Sequence, residues 1–430
     1  MFLTSAMVIG SGAREHALAW KLAQSSLLDT VYCAEGNPGT ALEPRVENVF
    51  YSEYSELLEF AEKEGVELVV VGPEKPLAEG VADSFRERGV KVFGFGKRQA
   101  MLESSKVFAR RFCEKHGISA PEAKIFTNAS EAIEFLEENR DRKFFVKADE
   151  LCGGKGAFPA PTPADGMSAV SELLVKKKCG VGEKILIEEW IDGRELTIMA
   201  FTDGKAISLM PASQDHKRLL DGDNGPNTGG MGAFAPAPLF DSEVKENFTN
   251  SILKPTLRGL KEEGFSDAGV IYFGIIVDRE KKTRLLEYNV RFGDPEAQPL
   301  MLLLESDLFP ILEACAEGKL AEAEKSIRWK QASALSVTLA VKGYPVKYGS
   351  EREPITGIEK AESVPGVKVF HAGTAVENGK LVTSGGRILS VSARADSLEE
   401  ARKRAYSAVK AIHFNGVRFR SDIALRAVGG

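Results

Sequence analysis

The chain has 430 residues, of which 43% are hydrophobic and 27% charged, with a formal net charge of −6. This composition is typical of a globular protein, and the length is too great for one hydrophobic core, so about two to four domains are expected. The negative charge argues against a general nucleic-acid binder, which would need a basic surface. We therefore expect small-molecule ligands and no nucleic-acid partner.

The cysteines and the N-terminus indicate the compartment. Five cysteines are odd in number and show no CxxC spacing, so neither a disulfide framework nor a zinc site is expected. No apolar run is long enough to span a membrane, and the N-terminal segment MFLTSAMVIGSG lacks the basic residues of a signal peptide. The sequence therefore predicts a reducing, cytoplasmic location without a membrane partner.

Predicted strands and helices alternate over the first hundred residues. Strands are predicted at Met7–Gly10, Thr30–Ala34, Leu68–Val71 and Val90–Phe93, and helices at His16–Ser25, Ser55–Lys63 and Leu77–Arg88. An alternating βαβ order predicts a parallel sheet that is covered on both faces. We expect a doubly wound domain formed by residues 1–103.

The rest of the chain predicts smaller α+β units. A helix capped by Ser104 or Ser105 and closed by Gly117 comes first. Asp203-Gly204, between two apolar runs, predicts a hairpin turn. Further elements are predicted as helices at 130–139, 165–176 and Leu398–Ile412, and as strands at Phe144–Lys147, Lys184–Glu189, Leu335–Val341 and Arg387–Arg394.

The segment Leu285–Glu296 is the most informative part of the sequence. In a strand, Glu287, Asn289 and Arg291 share one face, because side chains alternate. The opposite, core-facing set is predicted as Leu286, Tyr288 and Val290. A carboxylate and an amide oxygen suit Mg²⁺, and the arginine suits phosphate oxygens. The alternative is an amphipathic strand with a solvated charged face.

The first strand runs into the loop Gly10–His16, which opens a helix. Free N–H groups at a helix N-terminus favour an anion, and glycines let it approach. A dinucleotide fingerprint would have a third glycine where Glu15 stands, although Glu35 lies about where its ribose-binding acid would fall, ~20 residues on. The turn-rich segment Gly36–Thr40 could itself cradle a phosphate, and a purely structural turn is an equal alternative.

Three further segments carry candidate residues. Lys147–Gly156 is a strand end with a glycine loop that is not a Walker A sequence, so it is either a mobile phosphate lid or an ordinary surface loop. Ile185–Glu195 is a strand running into a hinge, whose backbone near 188–190 could pair with adenine. Ser213–Gly232 has many glycines and charged side chains but little to bury, and long loops of this kind are often functional. Its His216 alone is expected to be structural.

In combination and order these motifs resemble the ATP-grasp enzymes, and closely resemble the glycinamide ribonucleotide synthetase family. The matching segments run from Gly10–Ala17 to Thr383–Arg387, and SQDHKR and PNTGGMGA are the most specific of them. The resemblance implies an α/β ATP-grasp fold with an N-terminal doubly wound parallel-sheet domain (1–103), a central domain (104–122 and 191–326), a small α+β lid domain (123–190) and a C-terminal α+β domain (327–430). Ala13, Glu150 and Ala157 depart from the residues expected of the family, which could alter lid mobility or the geometry of the phosphate loop.

The resemblance also implies site residues. The nucleotide-binding set is Lys106, Lys147, Gly153, Gly154, Lys155, Gly156, Glu188, Trp190 and Glu195. Glu287 and Asn289 would bind Mg²⁺ or Mn²⁺, and the expected catalytic residues are Arg291, Lys147 and Asp215. The substrate-binding set is Gly10, Gly12, Arg14, Glu15, Gly39, Thr40, Glu74, Asp215, Arg291, Gly293, Asp294, His371, Gly373, Thr374, Gly386 and Arg387.

The activity implied is ATP-dependent ligation of glycine to 5-phosphoribosylamine in purine synthesis, by a monomer or weak dimer. Three alternatives remain open at this point. One is a ligase of the same fold with a different acid or amine, and another is a nicotinamide-dependent oxidoreductase built on the first domain. The third is a catalytically silent nucleotide-binding regulator, which would have no need of intact metal and phosphate residues.

Overall fold

The computed structural model describes residues 4–153, 156–349 and 352–429. Two residues predicted to contact the nucleotide, Gly154 and Lys155, lie outside the described residues. No helix in the described part of the chain is long and apolar enough to cross a membrane.

The N-terminal unit is built on a five-stranded parallel sheet, as predicted. Its strands are β1 (Ser5–Gly10), β2 (Thr30–Glu35), β3 (Val46–Val49), β4 (Val66–Val71) and β5 (Lys91–Phe93), in the order β3-β2-β1-β4-β5. The helices are α1 (Ala13–Leu22), α2 (Tyr54–Lys63), α3 (Glu74–Glu79), α4 (Val81–Glu87) and α5 (Lys97–Ser104). The single helix predicted over Leu77–Arg88 is wrong, because Gly80 adopts a φ of +91° and separates α3 from α4.

The next helix and the small α+β unit contain the predicted helices and strands, together with two strands, Ala123–Phe126 and Ala157–Ala160, that were not predicted. The elements are α6 (Lys106–His116), β6 (Ala123–Phe126), α7 (Ala129–Glu138), β7 (Phe144–Ala148), β8 (Ala157–Ala160), α8 (Pro163–Val170) and β9 (Ile185–Glu189). The hydroxyl of Ser105 accepts from the N–H of Phe108, and left-handed Gly117 ends the same helix, as the sequence predicts. A π-helical turn, Ser171–Val175, extends α8. The antiparallel sheet, in the order β6-β9-β7-β8, encloses its own apolar core.

The central unit is built around the long strands β10 and β16. Its elements are β10 (Arg194–Thr202), β11 (Ile207–Leu209), β12 (Gln214–Asp215), β13 (Arg218–Leu220), β14 (Asn224–Asn227), β15 (Gly232–Ala235), α9 (Ser242–Phe248), α10 (Lys254–Glu262), β16 (Gly269–Val277), β17 (Thr283–Asn289), α11 (Ala297–Leu303), α12 (Leu308–Ala316) and α13 (Leu320–Ala323). Four of these strands form the antiparallel sheet β11-β10-β16-β17. The predicted turn at Asp203 is present, since its carboxylate accepts from the N–H groups of Lys205 and Ala206.

The last unit shares a sheet with the central one. Its elements are β18 (Ser333–Ala340), α14 (Ile358–Glu362), β19 (Val367–His371), β20 (Thr374–Glu377), β21 (Lys380–Thr383), β22 (Arg387–Ala395), α15 (Leu398–Val409) and α16 (Leu425–Val428). The antiparallel order β12-β15-β18-β22-β19 joins two strands of the Ser213–Gly232 region to the C-terminal strands. That region is therefore held against the last unit of the chain.

Strand β17 departs from the alternation predicted for it. The pairing with β16 shifts register between Gly274 and Ile275, so Glu287 pairs with Gly274 while Leu285 pairs with Ile275. A bulge of this kind moves one residue out of alternation. The prediction that Leu286 faces the core is therefore wrong: Leu285 is buried in its place, and Leu286 lies at the cavity wall. Tyr288 and Val290 are buried as predicted.

Candidate active site

A cavity of about 890 Å³ lies between the N-terminal sheet, the lid, strand β17 and the C-terminal unit. Most of the predicted site residues meet there, although they are far apart in the sequence. Those that line it are Gly10, Gly12, Arg14, Glu15, Glu74, Lys106, Gly153, Gly156, Glu188, Asp215, Glu287, Asn289, Arg291, Asp294 and Arg387.

Glu15 explains the glycines around the first loop. Its Oε2 atom accepts from the N–H of Gly12 at 2.8 Å. A Cβ atom on Gly72 would lie 2.2 Å from Oε1, and one on Gly10 would lie 2.5 Å from the Glu15 side chain. The glycines therefore make room for a carboxylate that occupies the start of α1. This argues against the dinucleotide alternative, in which a pyrophosphate would take that position.

Arg14 links the N-terminal domain to the segment after β17. Its Nε atom lies 2.5 Å from Glu15 Oε1, and its Nη1 atom donates to the carbonyl of Phe292 at 3.1 Å. The side chain is 8% exposed. Arg14 therefore presents positive charge to the cavity while it holds two of the cavity walls together.

Arg291 is held by two carboxylates. Its Nη2 atom lies 2.9 Å from Glu103 Oε1, and its Nε atom lies 3.4 Å from Glu74 Oε2. Glu103 also accepts from the N–H of Val290 at 2.8 Å. Burial raises the pKa of Glu103, whereas the Arg291 and Arg14 charges outweigh burial at Glu74 and lower its pKa. Sequence reasoning missed Glu103, because nothing distinguishes it from other acids on amphipathic helices.

Arg387 joins three chain segments at the opposite wall. Its Nη2 atom lies 2.5 Å from Asp294 Oδ2, and Nη1 donates to the carbonyl of Gly229. Gln298 Nε2 donates to the other oxygen of Asp294 at 2.8 Å. Burial opposes ionisation of Asp294, but Arg387 and Arg14 outweigh it and its pKa is lowered. The pair therefore fixes the loops that contain Gly229 and Asp294 relative to β22.

Asp215 and Glu296 form a second acidic region. Glu296 Oε1 accepts from the Thr197 hydroxyl at 3.1 Å, and that hydroxyl also contacts the Tyr272 hydroxyl at 2.9 Å. Asp215 Oδ1 is buried, and no described residue donates to it. Burial, reinforced by the charge of Glu296, raises the pKa of Asp215 well above its ordinary value. A buried, unpaired carboxylate oxygen beside a second carboxylate suits a cationic ligand such as an ammonium. Sequence reasoning missed Tyr272 and Glu296, although Glu296 ends the Leu285–Glu296 segment singled out in the sequence.

Glu287 and Asn289 lie on one face of β17 and both line the cavity. The Lys217 ammonium, 3.3 Å from Glu287 Oε1, is the main cause that lowers the pKa of this carboxyl to about 2, despite burial. Glu287 is therefore ionised, and among the described residues the oxygen of Asn289 accepts only from Arg291, at 3.4 Å. No cluster of three or more His, Cys, Asp or Glu suited to a metal occurs among the described residues. The two oxygens fit Mg²⁺, which is usually bound through one or two carboxylates together with substrate phosphates.

Lys147 and Glu188 belong to a buried ion triad. Lys147 Nζ lies 2.5 Å from Glu188 Oε2, and Arg110 Nη2 lies 2.7 Å from Glu188 Oε1. Although burial opposes ionisation of Glu188, the two cations outweigh it and lower its pKa. Lys147 does not line the cavity, whereas Glu188 and Arg110 do. Both oxygens of Glu188 are therefore bound by protein side chains in this structure.

Lys106 begins α6, directly beside the glycine loop. The Asp149 carboxylate accepts from the N–H of Val107 at 2.7 Å and from the Ser105 hydroxyl at 2.8 Å. Asp149 thus fastens the start of α6 to the end of β7. This contact positions Lys106 and Gly153 on the same wall of the cavity.

Trp190 lies outside the cavity wall. Its ring stacks on Phe145 with centroids 4.5 Å apart, and its indole N–H donates to Asp192 at 2.9 Å. The backbone N–H groups of Glu189 and Trp190 donate to Glu122 and Lys143. Those two donors are therefore engaged by backbone carbonyls of the protein rather than offered to a base.

A further group of predicted substrate residues lies at the contact between the two terminal units. A Cβ atom on Gly39 would lie 2.5 Å from both His16 and His371. The hydroxyl of Thr374 lies 3.2 Å from His371 Nδ1. Gly39, Thr40, Gly293, His371, Gly373, Thr374 and Gly386 are not among the residues that line the cavity. Of these, Gly39, His371 and Thr374 lie where the two terminal units meet.

His216 has a structural environment, as the sequence predicts. Its backbone N–H donates to Gly232 and its carbonyl accepts from Met231, both at 2.9 Å. Burial, together with the charge of Arg420, lowers the pKa of the ring to about 4. The imidazole is therefore neutral at physiological pH and packs beside Phe234.

Three segments of the chain match the domains of one protein family. Residues 4–103, 104–297 and 334–426 match the N domain, the ATP-grasp (A) domain and the C domain of phosphoribosylglycinamide synthetase. The chain belongs to the phosphoribosylglycinamide synthetase family. The resemblance seen in the motifs is thereby confirmed, and the family includes the ATP-grasp fold expected for the chain.

Relatives of the family match over nearly the whole length. Phosphoribosylamine–glycine ligase of Ralstonia nicotianae is 44% identical over 423 residues, covering 98% of this chain and 99% of the relative. The enzyme of the same name from Clostridium acetobutylicum is 44% identical over 418 residues, covering 97% and 98%. This synthetase and both relatives therefore match over nearly their full lengths.

Solved structures agree with the family fold. The crystal structure of phosphoribosylamine–glycine ligase from Thermotoga maritima has a TM-score of 0.83 at 31% identity and covers 98% of this chain and 100% of that one. A biotin carboxylase domain from Hydrogenobacter thermophilus, solved with MgADP and bicarbonate, has a TM-score of 0.72 at 16% identity and covers 97% and 92%. The second likeness concerns the fold alone.

Proposed function

We propose that this cavity joins glycine to 5-phosphoribosylamine at the expense of ATP, giving glycinamide ribonucleotide, ADP and phosphate in de novo purine biosynthesis. The family assignment supports this reaction, and the relatives are named for it. The observation that carries the proposal is one cavity lined by the Glu287–Asn289 oxygen pair, by Arg291 and by Asp215, whose buried Oδ1 atom has no hydrogen-bond partner among the described residues.

The chemistry explains the need for these side chains. A carboxylate resists attack by an amine, because its charge is delocalised and oxide is a poor leaving group. Attack of a glycine carboxylate oxygen on the γ-phosphorus releases ADP and forms glycyl phosphate, whose phosphate is a good leaving group. The amine of phosphoribosylamine then attacks the carbonyl carbon, phosphate leaves, and the nitrogen loses a proton to give the amide. Alignment and charge neutralisation serve such transfers, and no protein nucleophile is required.

The nucleotide half of the cavity is proposed to lie between β17 and the lid. Lys106, Gly153 and Gly156 line it, so they would contact phosphates, joined by Gly154 and Lys155 of the same loop. Lys147 is paired with Glu188, so it would contact a phosphate only if this ion pair broke or if its ammonium bound both groups. We therefore assign Lys147 and Glu188 to one buried charge network beneath the nucleotide. Glu195, whose side chain is 53% exposed, would accept ribose hydroxyls, and the Trp190 segment would border adenosine.

Glu287 and Asn289 are proposed to hold Mg²⁺ or Mn²⁺ with the nucleotide phosphates. When bound, the ion would neutralise phosphate charge. The protein's own contribution is an ionised carboxylate and an amide oxygen presented side by side. Arg291, held by Glu103 and Glu74, would supply a fixed positive charge between the nucleotide and the glycine carboxylate.

The acceptor half is proposed to lie on the N-terminal side. Asp215 and Glu296 would bind the glycine ammonium, with Asp294 near it. The loop Gly10–Glu15 and Glu74 would contact phosphoribosylamine, together with Arg387 across the cavity. Gly39, Thr40, Gly293, His371, Gly373, Thr374 and Gly386 would shape this half from behind. The carboxyl ends of β1 and β4 are where open α/β sheets bind ligands.

The wider assignments are also proposals. Residues 123–190 would act as a lid on a central domain of 104–122 and 191–326, flanked by domains 1–103 and 327–430. Closure of the lid would keep water from the acyl phosphate. We propose a cytoplasmic monomer that binds neither nucleic acid nor membrane.

The decisive experiment is an ADP-release assay with glycine, Mg-ATP and phosphoribosylamine formed in situ, omitting each component in turn. ADP release that needs all three components, accompanied by glycinamide ribonucleotide, supports the proposal. Release with a different acid or amine would overturn the substrates but keep the ligase chemistry. No ATP turnover or binding would overturn the nucleotide site.

A further inference from the structure

One cation in the cavity has no role in the function proposed above. Lys217 Nζ lies 3.2 Å from Glu195 Oε2 and 3.3 Å from Glu287 Oε1. Glu195 is the proposed ribose acceptor, and Glu287 is the proposed metal ligand. A single ammonium therefore contacts both the carboxylate proposed to bind ribose and the carboxylate proposed to bind the metal.

Hydrogen bonds fix the backbone of Lys217, so its side chain always extends into the cavity from the same point. Its carbonyl accepts from both the N–H and the hydroxyl of Thr228 at 2.8 Å. The preceding residue, His216, is bonded on both sides to strand β15 and its neighbour. The side chain lines the cavity and is 36% exposed, so an anionic ligand in the cavity could contact it.

Lys147, a second lysine near the nucleotide half, is more deeply buried than Lys217 and more tightly paired. It is 10% exposed and paired at 2.5 Å with Glu188, a carboxylate that Arg110 also binds. Moving Lys147 would leave buried charges unpaired, which is costly. Lys217, in contrast, bridges two carboxylates that are 53% and 36% exposed, so its contacts can be exchanged at lower cost.

We propose that Lys217 is the resident counter-cation of Glu195 and Glu287, and that it couples entry of the metal to entry of the nucleotide. Without nucleotide, its ammonium pairs with both carboxylates, compensates one of their two negative charges and competes with a divalent cation for Glu287. Nucleotide phosphates attract the ammonium away, which leaves Glu287 to the metal and Glu195 to ribose. Lys217 is thus a positioning residue, and the inference rests on the nucleotide site proposed above.

The consequence is thermodynamic linkage. Because Lys217 leaves Glu287 only for phosphate, a divalent cation alone should bind weakly, and nucleotide should increase its affinity. Linkage requires the metal to increase nucleotide affinity by the same factor. Removal of the ammonium should reduce this mutual effect.

The test compares the full-length protein with K217M and K217R. Calorimetric titration with Mn²⁺ alone should show about ten-fold tighter binding to K217M, because an attractive carboxylate is no longer neutralised. Titration with ATP in the presence of a chelator should show about ten-fold weaker binding to K217M, because a phosphate contact is lost. K217R should resemble the wild type in both titrations. K282M, at an exposed lysine paired with Glu280, should change neither.

The opposite signs separate coupling from a merely structural role. Weaker binding of both ligands to K217M would mean that Lys217 only supports the fold of the loop, and unchanged Mn²⁺ affinity would also overturn the proposal. If the wild type binds neither Mn²⁺ nor ATP, the nucleotide site itself is wrong, which is a failure of the proposed function rather than of the coupling.

Discussion

The Nδ1 atom of His16 accepts a hydrogen bond of 2.8 Å from the backbone N–H of His371, joining α1 to the end of β19. Because Nδ1 accepts, the neutral ring carries its proton on Nε2, which lies 3.0 Å from Glu43 Oε1. Lys368 Nζ lies 2.6 Å from the same oxygen. A buried polar contact therefore joins the first and last units, behind the acceptor half of the cavity.

The buried imidazole of His371, beside the His16 ring, predicts acid sensitivity. Burial, reinforced by His16 and Lys368, lowers the pKa of His371 to about 3. As pH falls below the ordinary value of about 6.5, the unfolded chain binds a proton here and the folded chain does not. The stability from this group is present above pH 6.5 and is lost as pH falls towards 3, by about 2 kcal/mol at pH 5. Melting curves should therefore show that H371N loses less stability than the wild type between pH 7 and 5.

His413 supplies the control for this comparison, since it is exposed. H413N should follow the wild-type pH dependence. Parallel decline of H371N and the wild type would contradict the assignment of a neutral buried imidazole to His371.

The sequence predicted the fold because its local patterns agree with the final structure. Apolar runs followed by helices predict the parallel sheet, and Ser105 with Gly117 predicts both ends of α6. Leu286 was misplaced because a bulge depends on pairing with β16, which alternation within one strand does not reveal. The break at Gly80 was missed for a related reason, since a glycine in a helical pattern is compatible with a continuous helix.

The site was predicted in part, for a physical reason. Residues at strand ends and in glycine loops, such as Glu287 and Gly153, stand out because their local chemistry is unusual. Glu103 and Tyr272 act through partners 188 and 75 positions away, and their own neighbourhoods resemble any amphipathic element. His371, predicted to contact substrate, also takes part in packing between domains through His16 and Thr374, which its motif does not reveal.

Two glutamates predicted to contact adenosine should respond differently to removal. Glu188 is 3% exposed between Lys147 and Arg110, so E188A leaves two buried cations unpaired and should destabilise the protein by about 3–5 kcal/mol. Glu195 is 53% exposed, so E195A should cost less than about 1 kcal/mol but raise the KM for ATP. Chemical denaturation and steady-state kinetics of both variants check this. Equal losses of stability would show that the triad does not support the lid.

Removal of Glu287 should separate turnover from folding. E287A takes away the proposed metal ligand, and kcat should fall by about two orders of magnitude or more. Its side chain is 36% exposed, so the melting temperature should change little. E280A, at a carboxylate that pairs only with surface Lys282 in the described chain, is the control and should keep wild-type kinetics. Activity of E287A close to that of the wild type would rule out this carboxylate as a metal ligand.

Replacement of Arg14 tests the acceptor half of the cavity, which is proposed to bind phosphoribosylamine. Arg14 belongs to the Gly10–Glu15 loop, where it pairs with Glu15, and it donates to the carbonyl of Phe292. R14A should therefore raise the KM for phosphoribosylamine about ten-fold while changing that for ATP about two-fold or less. R88A, at an exposed arginine paired with Glu62 in the same unit, should leave both constants unchanged. An equal rise in both constants for R14A would mean that this wall does not bind the sugar phosphate.

Glu150, which replaces an expected glycine, restrains the lid loop in this chain. Its carboxylate accepts from the N–H of Val181 at 2.8 and 2.9 Å and from that of Gly182 at 3.0 Å, and a Cβ atom on Gly180 would collide with it. E150G should release these amides, so their hydrogen exchange without nucleotide should accelerate about ten-fold or more. E172A, which removes a nearby exposed pair with Lys176 and Lys178, should leave their exchange unchanged. Because a looser lid must be ordered when ATP binds, E150G should also raise the KM for ATP. Unchanged hydrogen exchange at Val181 in E150G would show that other contacts hold the loop.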